Sequence, residues 1–301
     1  MVTYNSESVI LSCLESIEAS TVPSRIVVVD NGSSDATVEI ITRRYPNIEV
    51  YAGVNLGFAG GCNRGIRLAG DDFAAYFFLN PDARVSPTCL DRLKKSLDED
   101  ATFAVVSPTI LHPKSGLVQY AGALLDFETM NFEVLTSPEI VREDTTRETG
   151  RPAGAAMLVR KTSLEAVGPM DDSYFLYWEE CEWAARFHSF GWRIGYVPSA
   201  KVFHSLSHST GGTGSKIYEY YYTRNVLRLV SEFKHMSRLE SVLYVLPFIM
   251  RRFRMISSRR HMKRLIDAVR FDALGVLDFL RGRAGHRVGL PPISIPSPLP
   301  E

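Results

Sequence analysis

The chain has 301 residues, of which 45% are hydrophobic and 23% charged, which excludes a wholly disordered, collagen-like or fibrous protein and sets a length of about two domains. Its 34 basic and 34 acidic side chains cancel, which argues against a nucleic-acid partner. The zero is nevertheless a sum of unlike parts: residues 1–214 hold 18 Lys and Arg against 27 Asp and Glu, whereas residues 215–301 hold 16 against 7. Four cysteines, Cys13, Cys62, Cys89 and Cys181, form no CxxC pair and read as reduced thiols of a cytosolic protein. No signal peptide is present, and the longest apolar run, Val242 to Met250, is far short of the ~20 residues that span a bilayer.

In chain order, Met1-Val2-Thr3-Tyr4-Asn5 reads as the end of a strand whose first part is cut short, since buried strands usually run to about 5 residues or more. Val9, Ile10, Cys13, Leu14 and Ile17 then share one helical face. Apolar runs at 25–29, 48–51, 74–79 and 103–107 suit buried parallel strands. A helix carrying Leu90, Leu93 and Leu97 follows Ser86 as N-cap. This alternation predicts a mostly parallel sheet with helices on both faces. From about 108 to 152 the alternation stops and an irregular, polar excursion over a site is expected. Thr162-Ser-Leu-Glu165 is a capping box, with Gly168 closing its helix. A helix from about Trp178 stops at Gly191, two short strands end at Phe203, and the chain beyond Ser215 is helical, with Ile266, Val269, Ala273, Leu277 and Leu280 at helical spacing.

Five constellations carry chemistry. Asp30 ends an apolar strand in Val27-Val-Val-Asp-Asn-Gly-Ser-Ser-Asp35, where it can either accept the N3–H of a pyrimidine base or simply hold an Asx-turn. Asn55-Leu-Gly-Phe-Ala-Gly-Gly-Cys-Asn63 is a glycine loop between strand and helix, with Asn55, Gly57 and Gly61 suited to close approach by a nucleotide. Its spacing is not that of a dinucleotide fold. Asn80-Pro-Asp82 places a carboxylate at the same sheet edge, suited to a divalent cation over a diphosphate or to a plain turn. Phe175-Leu-Tyr-Trp-Glu-Glu-Cys-Glu-Trp183 crowds Glu179, Glu180 and Glu182 among aromatic residues, as a sugar-binding general base needs, although acids also favour any helix start. His204, followed by His208, Gly211 and Gly212, becomes a cation ligand only if it meets Asp82. Arg224 in Tyr220-Tyr-Tyr-Thr-Arg-Asn225 could face phosphate oxygens.

In this order and spacing, the blocks resemble the family-2 glycosyltransferases of the GT-A fold, over roughly residues 1–230, and within them the bacterial rhamnosyltransferase-like enzymes. The resemblance implies inverting transfer of a sugar, rhamnose favoured, from a nucleotide-diphosphate donor to a hydroxyl of a glycan or lipid-linked acceptor in cell-surface polysaccharide synthesis. It places Asp30 on the base, Asn55, Gly57 and Gly61 along the nucleotide, Asp82 on metal and diphosphate with His204 as a further ligand, and Glu180, with Glu179 as alternative, as base. Arg224 joins the nucleotide-sugar contacts. The implied cofactor is Mg²⁺ or Mn²⁺; the implied donor is dTDP-rhamnose, with UDP-sugars second. Glu179-Glu180 stands where the family commonly shows Glu-Asp, which leaves Glu179, Glu180 and Glu182 open as the base.

The domains expected are a GT-A catalytic unit over 1–214, its first strand truncated, a basic helical extension over 215–290, and a disordered Pro/Ser-rich tail over 291–301. Arg251, Arg252, Arg254, Arg259, Arg260, Lys263 and Arg264 follow the apolar 242–250 stretch. They suit an anchor on an anionic membrane surface, peripheral on the inner face, or else a solvated face or homodimer contact. A catalytically inactive, membrane-associated scaffold is the competing reading. A nucleotidyltransferase is disfavoured, because no Lys- and Arg-rich triphosphate loop stands near the amino terminus.

Overall fold

The structure, a computed structural model, describes residues 1–205, 215–256 and 262–290. His208, Gly211, Gly212, Arg259, Arg260 and the 291–301 tail lie outside the described residues. The first apolar runs form a parallel sheet of β1 (Val2–Thr3), β2 (Val27–Asp30) and β3 (Glu49–Ala52), in that spatial order. Helices α1 (Ile10–Glu18) and α2 (Thr37–Arg44) cover it, closing Ile10, Leu14, Val28 and Ile41 into one cluster. Helix α3 (Gly57–Ala69) follows β3 directly.

A larger sheet holds β4 (Ala75–Leu79), β5 (Ala83–Val85), β6 (Phe103–Leu111), β7 (Val118–Tyr120), β8 (Arg147–Glu148), β9 (Ala156–Arg160) and β10 (Arg193–His204). Its order is β4-β9-β6-β10-β5, with β7 beside β6 and β8 beside β10. Among the described residues, β6 and β10 run parallel, and the other pairs of this sheet are antiparallel. Parallel pairing is therefore confined to the first sheet and this one pair. An unbroken apolar run reports burial on both faces and not strand direction, and β9, inserted between β4 and β6, runs against both.

Helices α4 (Cys89–Glu99), α5 (Lys161–Val167) and α6 (Glu179–Ser189) pack on this sheet. The helix α4 begins two residues beyond the Ser86-Pro87 start, without a side-chain cap. The capping box does not form, because α5 starts at Lys161, ahead of Thr162; Gly168, at φ +86°, does end it. The two short strands expected before Phe203 are one long strand, β10. All four cysteines are buried and free. An apolar cavity of about 390 Å³ lies between Met1, Val2 and Ile26 on one side and Phe77 and Leu97 on the other. Gly61 reaches its wall, whereas Asp30, Asp82 and Glu180 do not.

Beyond Ser215, whose hydroxyl accepts from the Tyr218 N–H at 3.1 Å, come α7 (Lys216–Phe233), α8 (Arg238–Ile256) and α9 (Met262–Leu280). Val226 and Val230 of α7 pack with Val245 and Ile249 of α8, Phe279 of α9, and Tyr174 and Trp178 from the loop before α6. The helical extension is thus built onto the segment that presents α6. Its interior also holds charge: Arg252 donates to Glu219 and to Thr223, and Thr223 donates to Asp272, all buried. Burial pushes the Asp272 carboxyl up to about 7, against the opposing pull of Arg252.

Candidate active site

The carboxyl ends of β2 and β4 face the glycine loop, the α6 start and the end of β10. Asp30 is 1% exposed, and its carboxylate accepts from the N–H groups of Gly32 (3.1 Å) and Ser33 (2.8 Å) and from the hydroxyls of Thr3 (2.8 Å) and Ser33 (2.5 Å). Those four bonds use the lone-pair directions a carboxylate offers, so in this arrangement Asp30 braces the turn. Its neighbour Asn31 does the reaching: its Nδ2 donates to the Gly57 carbonyl at 2.9 Å, and its Oδ1 accepts from the Leu56 N–H. Asn55 Oδ1 accepts from the Gly57 N–H at 2.9 Å, folding the loop back on itself. Gly57 sits at φ +74°, and a Cβ there would stand 2.2 Å from the Phe175 carbonyl oxygen, so only glycine fits. The Phe58 N–H donates to that same carbonyl at 2.7 Å. A Cβ on Gly61 would stand 2.7 Å from a methyl of Val2.

The pairing of β10 with β5 sets His204 opposite Ala83. It brings His204 Nε2 to 3.0 Å from Asp82 Oδ1, with both side chains buried. The convergence on which a cation role for His204 depended is therefore present. The ring nitrogen makes no aligned hydrogen bond despite that distance. A buried imidazole nitrogen and a carboxylate oxygen presented side by side, rather than along a donor axis, suit a shared divalent cation. No third His, Cys, Asp or Glu joins them among the described residues.

The three acids at the start of α6 have three different surroundings. Glu182 receives two bonds from Arg186, at 2.5 and 2.9 Å, and Arg186 also holds the carbonyls of Val167 and Pro169. Glu182 is thereby a structural anchor. Glu179 is buried, with Oε2 lacking any hydrogen-bond partner among the described residues, and burial, followed by the charge of Glu180, pushes its carboxyl well above the usual range. Glu180 is the most open of the three, its side chain 19% exposed, and it faces Arg151 Nη1 at 3.2 Å and the backbone of Gly154. Arg151 was not singled out in the sequence. It lies at the end of the 108–152 excursion, and a lone Arg in a polar segment carries no local signal. The aromatic wall expected beside these acids is elsewhere: Trp183 is wholly buried against Phe78 and Phe187, and Trp178 packs on Phe132, Tyr222 and Phe248.

Arg224 is a correction of a different kind. It is 2% exposed, and its guanidinium donates to the carbonyls of Tyr174 (2.9 Å) and Gly285 (2.6 Å) and to Asn225 Oδ1 (2.9 Å), with no face left for a phosphate. Asn225 Nδ2 lies within 2.7–2.9 Å of the carbonyls of Tyr174, Leu176 and Tyr177. The reason is backbone strain. Phe175, Tyr177 and Trp178 all stand at positive φ, between 66° and 73°, which bulky residues adopt only when surrounding bonds hold them. The Arg224-Asn225 pair does that holding and so fixes the turn from which Glu179 and Glu180 emerge.

Residues 1–166, more than half of the chain, match the family model for glycosyl transferase family 2. The chain belongs to that family. Among curated relatives, the N-acetylglucosaminyl-diphospho-decaprenol L-rhamnosyltransferase of Mycobacterium tuberculosis is 29% identical over 211 residues, which cover 63% of this chain and 69% of the relative. Among solved structures, the mannosyltransferase PcManGT from Pyrobaculum calidifontis, in complex with GDP-Man and Mn²⁺, superposes with a TM-score of 0.57 at 16% identity, covering 93% of this chain and 80% of that one. The S. aureus TarS 1–349 complex with UDP gives 0.54 at 15% identity, covering 93% and 87%. These neighbours establish the GT-A fold, with the helical region at its carboxyl end. In a family-2 glycosyltransferase, a strand-end edge that offers a carboxylate–imidazole pair and a partly exposed glutamate suits transfer from a charged donor.

Proposed function

We propose that the protein is an inverting glycosyltransferase that moves a sugar, rhamnose favoured, from a nucleotide-diphosphate donor to a hydroxyl of a lipid-linked or glycan acceptor. The observation that carries this reading is the sorting of the three α6 acids: Glu182 is locked, Glu179 is buried, and Glu180 faces outward with Arg151 as its counter-charge. In this reading Glu180 takes the proton of the acceptor hydroxyl as its oxygen attacks the anomeric carbon. The bond from that carbon to the diphosphate breaks on the opposite side, and the nucleotide diphosphate leaves. Asp82 and His204 fit a divalent cation, Mg²⁺ or Mn²⁺, which when bound supplies positive charge against the departing diphosphate. Asn31, Asn55 and Gly57 shape the nucleotide side, Gly61 backs it, and Asp30 keeps its turn; a base contact by Asp30 requires exchange of one of its four bonds. Arg224 acts as a positioning residue.

The mycobacterial relative is named for a diphospho-decaprenol acceptor, and the solved neighbours for GDP-Man and UDP. A polyprenol-diphosphate acceptor and dTDP-rhamnose, with UDP-sugars second, follow as the donor–acceptor pair to try, at the inner face of the membrane. No observation favours the inactive scaffold. Thermal shifts with dTDP, UDP and GDP, each with and without Mn²⁺, should give the largest rise with dTDP plus Mn²⁺. The Asp82→Asn variant should lose the Mn²⁺-dependent part, and an undiminished Mn²⁺ response there would remove Asp82 from the site. Nucleotide release from dTDP-rhamnose only when acceptor is present would establish transfer, and release equal without acceptor would refute it.

A further inference from the structure

Helices α8 and α9 expose apolar stripes and turn charge inward. On α8 the outward positions are Leu239, Leu243, Leu246, Pro247 and Met250, spaced as one face of a helix, with Leu243 63% exposed. The inward positions are Ser241, Val245, Ile249 and Arg252. On α9 the outward face carries Ile266, 61% exposed, with Val269, Ala273, Leu277 and Leu280. Its inward face carries Asp272 and Asp278 beside Phe271 and Phe279. The inward faces are committed: Arg252 bonds Glu219 and Thr223 of α7, Asp272 accepts from Thr223, and Asp278 accepts from Tyr220 at 2.8 Å. Gly275 lets α9 approach so closely that a Cβ there would stand 2.7 Å from the Tyr220 carbonyl oxygen. Neither helix can therefore roll over to bury its stripe. Two long, continuous apolar stripes facing water on one protein mark a surface that meets something.

We propose that these stripes form a docking face for an anionic lipid surface. Charge complementarity chooses the occupant. The sequence joining the two stripes, residues 251–264, holds six Lys and Arg besides the buried Arg252, and no Asp or Glu. Arg270 and Arg281 are exposed within and beside the α9 stripe. A second copy of the same face would set the exposed Arg251, Arg270 and Arg281 against like charges, whereas anionic headgroups attract them. No described helix is long and apolar enough to cross a membrane, so the attachment lies in the interface. The Val242–Met250 run read from sequence is thereby divided: Val245 and Ile249 are core, and the lipid contact passes to Leu239, Leu243, Leu246 and Met250 and to α9.

The proposal is independent of the transfer chemistry, because docking needs no turnover. The test is flotation of the full chain with vesicles of phosphatidylglycerol and phosphatidylcholine, and in parallel with phosphatidylcholine alone. Binding is expected with the anionic vesicles, weakened by salt and much lower with the neutral ones. The double variant Leu243→Glu/Val269→Glu should bind the anionic vesicles about tenfold less or weaker still, since it removes two aliphatic side chains from the contact with lipid and adds repulsion. Both positions are exposed, so its melting temperature and nucleotide binding should match the unaltered chain. Absence of flotation, equal binding to both vesicle types, or unaltered binding by the double variant would each overturn the proposal. So would concentration-dependent dimerisation that the double variant abolishes while vesicles are ignored.

Discussion

The sheet-based body and the helical extension handle polarity in opposite ways. In the body, apolar strands fill the interior and the carboxylates gather at strand ends: Asp30 closes β2, Asp82 follows β4, and Glu180 opens α6. In the extension, Arg252, Glu219, Asp272 and Asp278 are interior, and Leu239, Leu243, Leu246, Leu277 and Leu280 face outward. The difference is one of task. In the body, Asp30 braces its turn and only Glu180 is appreciably open to solvent, whereas the extension's buried acids each answer an arginine or a hydroxyl and fix how helices pack. The three glutamates of α6 show both uses within a single turn, since Glu182 is paired as the extension's acids are and Glu180 stands at the edge.

That contrast can be broken or sharpened by substitution. The largest effect is expected at Glu180→Gln, which should cut turnover by ~10²–10⁴ with nucleotide affinity retained, while Glu179→Gln changes it much less, because Glu179 is buried and that burial pushes its carboxyl up. Steady-state kinetics beside calorimetric nucleotide binding reads both, and reversal of the two outcomes would transfer the base role to Glu179. Next, Arg252→Met should destabilise the fold by about 3–5 kcal/mol in urea titration, since it leaves Glu219 and Asp272 buried without their cation. A loss below 1 kcal/mol would mean the interior charges are solvated. Asn225→Ala should cost about 1–3 kcal/mol of stability and lower kcat with the nucleotide Kd unchanged, because it frees carbonyls of the strained turn. A change in nucleotide Kd alone would instead place Asn225 at the donor.

The smallest effect is one of pH. Asp272 titrates near 7 in the fold and near ~3.9 when unfolded, so between those values the native state holds the extra proton. Its contribution to stability is therefore greatest below about pH 4 and declines as pH rises towards 7. Asp272→Asn should flatten that part of the stability–pH curve, and equal slopes in the two proteins would show that Asp272 is ionised throughout.

The legible parts were those written in local pattern. Apolar runs marked β2, β3, β4 and β6, Gly168 and Gly191 marked helix ends, and the strand-end position of Asp30 and Asp82 followed from where those runs stop. Strand direction was not legible, because β9 is brought between β4 and β6 from about 80 residues further on than β4. The inward side of α9 was not legible either. Its spacing of Ile266, Val269, Ala273, Leu277 and Leu280 defines a face but not whether that face meets protein. Arg151 escaped for the same reason as Arg224 misled: an arginine's partners are set by tertiary contacts, and its neighbours in sequence do not name them.

The contact between Gly57 and Phe175 leaves no room for a methyl group. The glycine loop and the turn that leads into α6 are consequently one mechanical joint. A change at that joint would therefore shift the glycine loop and the start of α6 together.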